Sequence, residues 1–469
     1  MLDGEIGKAL WTAEDAAEAS GGKLIGADSW IATGVSIDTR SLAPGELFVA
    51  LTDVRDGHDF APAAFAAGAA AALVSRADIG GSALLVVDDV LEGLRGLARG
   101  ARDRSAAKRI AVTGSVGKTS VKEALALCLA PSGATHAASK SFNNHFGVPL
   151  TLARMPPASA YGVFEIGMNH RGEIAPLASL VRPHAAVITT IAPVHVEHLG
   201  SLAAIAEEKA DIFADMEKGA AAIVPVDAPH ADILVARVKS VGAQLIRFGE
   251  SAACEARLIS FEEDAEGSNA EADILGKRIR YRVGAPGRPW AGNALATLAA
   301  AAAVGADLNQ AAAALENLRA PAGRGAAKLI AFSRGAFTLV DDAYNASPVS
   351  IAAALETLGK RPAVRRIAAL GDMLELGPDE RAYHAALAAP VERAGIDLVF
   401  CAGPRMAALW EALPPARRGG YANDADSLIP LLTDALKAGD AVLVKGSFGS
   451  KMSRVVEALA RLGDNNSAQ

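Results

Sequence analysis

No part of this chain limits its architecture as tightly as "IAVTGSVGKTSVKEAL", Ile110 to Leu125. A short apolar run leads into Gly114, Ser115, Val116, Gly117, Lys118, Thr119 and Ser120, and good helix formers follow. That order reads as a strand, a tight turn and a helix start, the setting of a phosphate loop. Backbone N–H groups of such a loop and of the helix N-terminus face outward with partial positive charge, so a polyphosphate fits without any side chain. Glycine lets that backbone come close. Lys118 then neutralises the outer phosphates, and the Thr119 hydroxyl helps hold Mg²⁺. A plain glycine turn with an exposed lysine is the bland alternative; the strand and helix on either side speak against it. The spacing is contracted. The widespread pattern has four residues between its first glycine and Gly-Lys, which would put that glycine where Val112 stands.

The middle third alternates regularly. Strand candidates are Arg109–Thr113, Gly162–Ile166, Ala185–Ile191, Ala221–Val226 and Gln244–Phe248, with helical stretches between most of them. This predicts a parallel sheet covered by helices on both faces. "ADILGKRIRYRV" (Ala272–Val283) reads as an added hairpin, and helices follow within Trp290–Val304 and Leu308–Leu318. Nearer the N-terminus, "GELFVAL", "AAALVS" and "ALLVVDD" read as strands, with one alanine-rich helix between the first two. Val90–Lys108 then reads as an amphipathic helix joining two domains. The Pro/Gly-rich, basic loop "RAPAGRGAAK" (Arg319–Lys328) marks a second boundary. Beyond it "FTLVDDAY", "RRIAALGDM", "DLVFCAG" and "AVLVKGS" read as strands, with helices between. The acidic "SFEEDAEGSNAEAD" reads as a solvated loop.

At 469 residues the chain is too long for one core, and 51% apolar residues leave ample material for several. A net charge of −7 without a basic tract argues against nucleic acid as a partner. Cys128, Cys254 and Cys401 stand far apart, as reduced thiols of a cytosolic protein do, and form neither a disulfide frame nor a zinc site. The N-terminus lacks a basic start followed by an apolar run, so no secretion signal is expected, and no apolar stretch reaches spanning length. The expectation is a soluble cytoplasmic protein.

Three further residues carry chemistry. Glu165 lies inside an apolar strand, in "YGVFEIGMNHRGEI", where a carboxylate is costly unless a cation or donors meet it. It is the first choice for a metal ligand, against the blander reading of a strand-end glutamate paired to an arginine. "ITTIAPVHVEHLGS" puts His195 just after a strand, where ligands gather in an open parallel sheet, though a turn histidine satisfied by hydrogen bonds would look the same. No HExxH pattern supports zinc. Lys209, in "SLAAIAEEKADIFADM", has acidic neighbours at helical spacing and by pattern alone reads as a solvated helix lysine.

Taken jointly, these motifs resemble the Mur ligase family, ATP-dependent amide-forming enzymes that use the contracted loop T-G-S-x-G-K-T-S. "SFNNHFGVPLTL", "FEIGMNHRGEI", "APVHVEHLGS" and "IAEEKADIF" follow the family pattern in order. So do "GNALATLAAAAAVG", "VDDAYNASPVS", "GDMLELG" and "VLVKGSFGSKM", and near the N-terminus "VSIDTRSLAPGELFVAL" with "DGHDF". The resemblance covers about residues 30 to 460.

It implies an α/β protein of three domains: a small N-terminal UDP-sugar-binding domain (1–100), a central ATP-binding phosphate-loop domain with a parallel sheet (101–320) and a Rossmann-like C-terminal domain that closes on dipeptide and nucleotide (321–469). The implied substrates are ATP, UDP-N-acetylmuramoyl-tripeptide and D-alanyl-D-alanine, with Mg²⁺ as metal and a monomer as the assembly. Lys118 and Thr119 would hold ATP phosphates and a first Mg²⁺, Glu165 would bridge toward the metals, and His195 would ligate the second. Lys209 stands where the family carries a lysine carbamylated by CO₂, which reverses its reading from pattern alone; an anion beside Mg²⁺ is sensible where an ammonium is not. Asn293 would contact adenine, Arg324 the γ-phosphate, Asp342 the ribose, and Tyr344 and Asn345 the nucleotide. Ser36, Asp38, Thr39 and Arg40 would grip the UDP portion, and Asn143 and Asn144 would sit near the reacting centre. Two departures stand out: Pro289-Trp290 ahead of the asparagine motif, and "SFGSKM" in place of a more basic run. The rivals are another Mur-type or folylpolyglutamate-type ligase and, from a different class, a phosphate-loop NTP switch. "DDAYNASP" and "GDMLELG" favour the D-alanyl-D-alanine-adding reaction, and no guanine-reading N-K-x-D element is present.

Overall fold

The computed structural model describes residues 9–264 and 266–464, which build three large sheets and one two-stranded ribbon. The central sheet has nine strands, and Lys108–Thr113 lies well inside it, between Tyr161–Glu165 and Ala185–Ile188. Its run Arg109–Thr113 is buried throughout, as a parallel strand covered on both faces requires. The alternation of side chains divides the packing. Ile110, Val112, Val163 and Val187 face the helices Lys118–Leu129 and Arg288–Ala303, while Ala111, Phe164, Ala186 and Ile188 face Ile174–Val181 and Leu202–Ala210. Alanine dominates Arg288–Ala303, and its small side chains let the helix lie close on the sheet.

Register positions the site. Glu165 pairs with Val112, and Ile188 with Thr113, in parallel ladders. The phosphate loop, Glu165 and the segment leading to His195 therefore leave the sheet at one carboxyl edge, where ligands collect in open α/β sheets.

The acidic segment is not a solvated loop. Ala256–Glu263 and Ser268–Ile274 are antiparallel strands that extend the central sheet, and the expected hairpin partner Lys277–Val283 completes the extension. Ala270, Ala272 and Ile274 enter the core while charged residues take the opposite face. Position 265 of that segment lies outside the described residues. The hairpin turns at Leu275 and Gly276, both at positive φ (53° and 82°), the backbone a two-residue turn needs.

The N-terminal sheet runs Lys23–Gly26, Ala83–Val86, Ala71–Val74, Glu46–Val49, Gly34–Ser36, with only the first pair antiparallel. Helix Val90–Asp103 is capped by the Asp89 carboxylate on the Glu92 N–H (2.9 Å) and ties this unit to the next, Arg102 donating to the Leu180 carbonyl at 3.0 Å. Trp11 donates to the Ala153 carbonyl at 2.9 Å.

The C-terminal sheet orders Ala326–Phe332, Gly335–Asp342, Asp440–Lys445, Arg365–Gly371, Leu398–Ala402 and Arg418–Ala422. Its first strand begins inside what reads as a boundary loop. Lys328 points outward, and the strand exists because Gly335–Asp342 pairs along it. Arg418–Ala422, with two glycines, carries too little β preference to be seen from sequence. Among the described residues no helix is long and apolar enough to cross a membrane.

Candidate active site

The phosphate loop is shaped by what lies against it. Gly114 has φ 145°, and a Cβ there would stand 1.9 Å from Thr189 Oγ1. That hydroxyl donates to the Val116 carbonyl at 2.5 Å, and Ser115 Oγ donates to the Ala192 carbonyl at 3.0 Å, so the Thr189–Ala192 segment braces the loop. Gly117 (φ 92°) precedes the helix, and a Cβ on it would meet Asn293 Oδ1 at 2.8 Å. Lys118 folds back so that Nζ donates to the Gly114 carbonyl at 2.8 Å. Burial lowers its ammonium from the ordinary lysine value, Glu165 opposes this, and Arg324 adds to it.

Glu165 is 3% exposed. Its Oε2 accepts from Thr119 Oγ1 at 2.9 Å, and its Oε1 accepts from Ser141 Oγ at 2.9 Å and Asn143 Nδ2 at 2.7 Å. Three neutral donors, and no arginine, meet the cost of burying it.

His195 has a left-handed backbone (φ 56°), and its Nδ1 bonds the carboxylate of Glu375 from the C-terminal unit. Burial lowers its imidazole from the ordinary value, with Glu375 pulling the other way. No group of three or more His, Cys, Asp and Glu side chains able to hold a metal occurs among the described residues. Thr119, Glu165 and His195 offer single donors, a set that suits Mg²⁺ completed by phosphate oxygens and water rather than a closed protein cage.

Lys209 is 1% exposed, which overturns its reading as a solvated helix lysine. No carboxylate or carbonyl among the described residues pairs with its ammonium. Burial first, then the Lys118 charge, pushes it well below the ordinary lysine value.

The C-terminal unit supplies the opposite wall. The Arg324 guanidinium lies 4.1 Å from the centre of the Tyr344 ring. Asp342 pairs with Lys445 Nζ at 2.7 Å, and the same Nζ donates to the Asn345 carbonyl at 2.9 Å. Burial raises the Asp342 carboxyl against the pull of Lys445. A crevice of about 370 Å³ results, with Lys118, Glu165, His195, Asn293, Arg324 and Asp342 on its walls. Ser115 to Ser120, Asn143, Tyr344 and Asn345 also line it, as do Pro289 and Trp290 of the departure noted above.

Other expected residues stand apart. Asn144 is not on the crevice wall; its Oδ1 accepts from the Phe146 and Gly147 N–H groups and shapes the start of helix Gly147–Ala153. Lys209 does not line the crevice, although its charge is felt by His195. Ser36, Asp38, Thr39 and Arg40 lie on the N-terminal unit, outside the crevice. There Arg40 donates to both Asp38 oxygens and holds that carboxyl down to about 2. A second cavity, about 770 Å³, is lined by Thr33, Glu46, Lys140, Phe142 and Arg154, and of the "SIDTRS" stretch only Ser41 joins it.

Four residues escaped the sequence reading: Thr189, Ser141, Lys445 and Glu375. Lys445 carried a signal, a charge inside "AVLVKGS", of the same kind that exposed Glu165. Glu375 lies in "GDMLELG", but its pairing with a residue 180 positions away carried no local signal.

Comparison with known proteins places this site in context. Residues 32–111 match the model of the Mur ligase family catalytic domain, 112–301 the Mur ligase middle domain, and 327–448 the Mur ligase glutamate ligase domain. A UDP-N-acetylmuramoyl-tripeptide–D-alanyl-D-alanine ligase from Escherichia coli is 37% identical over 446 residues, covering 94% of this chain and 96% of the relative. One of the same description from Rickettsia prowazekii is 33% identical over 426 residues, covering 90% and 94%. The crystal structure of MurF from Acinetobacter baumannii superposes with a TM-score of 0.84 at 27% identity, covering 96% of this chain and 99% of that one.

Proposed function

The chain belongs to the Mur ligase family, and we infer that it is an ATP-dependent ligase joining D-alanyl-D-alanine to UDP-N-acetylmuramoyl-tripeptide in peptidoglycan precursor synthesis. The observation that carries this reading is the convergence of Lys118, Glu165 and His195 from one unit with Arg324 and Asp342 on a single crevice.

A carboxylate cannot form an amide directly, because its oxygen is a hopeless leaving group. Its attack on the γ-phosphorus of ATP yields an acyl phosphate and ADP. The dipeptide amine then attacks the acyl carbon to form the C–N bond, and the tetrahedral intermediate, once the amine proton is lost, expels phosphate. Little covalent chemistry falls to the protein; it positions two anions and offsets their repulsion. Lys118 and the loop N–H groups take the phosphates, and Arg324 reaches the γ-phosphate. Thr119 would hold a first Mg²⁺ and His195 a second, with Glu165 bridging toward both; the ions supply charge neutralisation when bound. Asn293 takes adenine, Asp342 the ribose, and Tyr344 and Asn345 the rest of the nucleotide. Asn143, already bonded to Glu165, faces the reacting centre, with Asn144 setting its loop. Ser36, Asp38, Thr39 and Arg40 take the UDP portion.

Lys209 is assigned a carbamate. Burial disfavours this ammonium, and no ion pair among the described residues restores it, which favours the neutral amine, the form that adds CO₂. The resulting anion offsets the cationic surroundings that Lys118 creates. The three units act as UDP-sugar, ATP and closing domains of a cytoplasmic monomer.

Phosphate release with ATP and UDP-N-acetylmuramoyl-tripeptide, measured with and without D-alanyl-D-alanine, tests the reading. Release is expected to depend on the dipeptide; turnover indifferent to it would exclude this acceptor.

A further inference from the structure

The contact between His195 and Glu375 is built by more than two side chains. Both residues hold left-handed backbone, φ 56° and 62°, a region that non-glycine residues seldom occupy and that marks clamps and switches. The Glu197 N–H donates to the Glu375 carbonyl at 3.3 Å. Gly377 backs the same turn, and a Cβ there would reach Val196 and Glu197 at 3.7 to 3.9 Å, ordinary contact. The Leu374 N–H is anchored on Ser447 Oγ at 3.0 Å, which ties the turn to its own sheet. Two strained turns from two units thus dock on one another at the rim of the crevice.

An imidazole has two nitrogens, and the bond made by one sets the role of the other. With Nδ1–H donated to a carboxylate, Nε2 keeps its lone pair for a cation. We propose that Glu375 is a positioning residue that fixes the ring and tautomer of His195 for Mg²⁺, so that this metal position is complete only when the C-terminal unit meets the central one. The inference rests on the reading of the crevice as an ATP–Mg²⁺ site, and it makes metal binding a reporter of domain contact.

Calorimetric titration of Mg²⁺ into the full-length protein carrying a non-hydrolysable ATP analogue tests it on wild type, Glu375→Ala and Glu375→Gln. The alanine variant is expected to bind Mg²⁺ about tenfold more weakly, within the range seen for partners of metal-bound histidines. Gln keeps a carbonyl acceptor for Nδ1–H and should recover most of the loss. A fluorophore pair on the two units should report a wider separation for Glu375→Ala at limiting Mg²⁺. Unaltered Mg²⁺ affinity in the alanine variant, or equal weakness of Ala and Gln, overturns the proposal. No dipeptide enters the titration, so its result is independent of which acceptor the enzyme uses.

Discussion

Lys118 and Lys209 are two lysines withdrawn from water, and the proposed function gives them opposite tasks. Lys118 turns onto its own loop, Nζ donating to the Gly114 carbonyl, with Glu165 countering the burial that lowers its ammonium. Replacing it by alanine should cost ~3 kcal/mol of transition-state stabilisation, the scale of one preorganised donor. That is about a hundredfold in kcat/KM for phosphate release, with thermal stability little changed. Among the described residues no carboxylate forms an ion pair with Lys209, and the nearby Glu208 charge does not offset its burial. Activity should therefore fall when CO₂ and bicarbonate are removed and return on their addition, and ¹³CO₂ should give a carbamate resonance absent from Lys209→Ala. Activity that ignores CO₂ would sink the assignment. Glu165 was legible in sequence because a charge among apolar residues announces itself. The donors Ser141 and Asn143 could be fitted to it only once the chain had folded.

At the scale of elements, the phosphate loop depends on neighbours as much as on its own glycines. Gly114→Ala forces a Cβ into Thr189 at positive φ. Such a variant should lose nucleotide binding, read by calorimetry with an ATP analogue, while Thr189→Ala in the same background should restore part of it. The opposite edge of the central sheet holds His184, whose Nδ1 accepts from the Arg109 N–H at 3.2 Å. Burial, then the charges of Arg109 and Lys108, lowers its imidazole to about 4 from 6.5. Between those values the unfolded chain takes up a proton that the folded chain refuses, so stability falls as pH drops through the window. The urea midpoint should decline from about pH 7 to about pH 4.5 by less in His184→Asn than in wild type; equal declines would discount the histidine. The parallel strands of the central sheet were readable as apolar runs of the right length. The acidic strands Ala256–Glu263 and Ser268–Ile274 were not, because their alternation hides under glutamates and their order comes from pairing across a hairpin.

Across the whole molecule, the residues proposed to bind ATP come from two units joined near Arg319–Gly325, and the described contacts between those units include Lys360 with Glu263 at 3.0 Å beside the His195–Glu375 pair. Interfaces between domains of one chain permit relative motion unless they are large and hydrophobic. We expect X-ray scattering curves to differ between the free protein and its complex with nucleotide analogue and tripeptide substrate, the complex being more compact; superimposable curves would refute a swinging C-terminal unit. By itself the amino-acid order determined the α/β class, the phosphate loop, the parallel strands and the buried carboxylate, since each follows from local periodicity, glycine placement or the cost of a charge among apolar neighbours. Only the tertiary structure decided which side chains share the crevice, that Asn144 serves a helix start instead, that Lys209 is shut away from water, and that Glu375 reaches His195. Those outcomes depend on register and on contacts between distant segments, for which a single chain of letters carries no local physical signal.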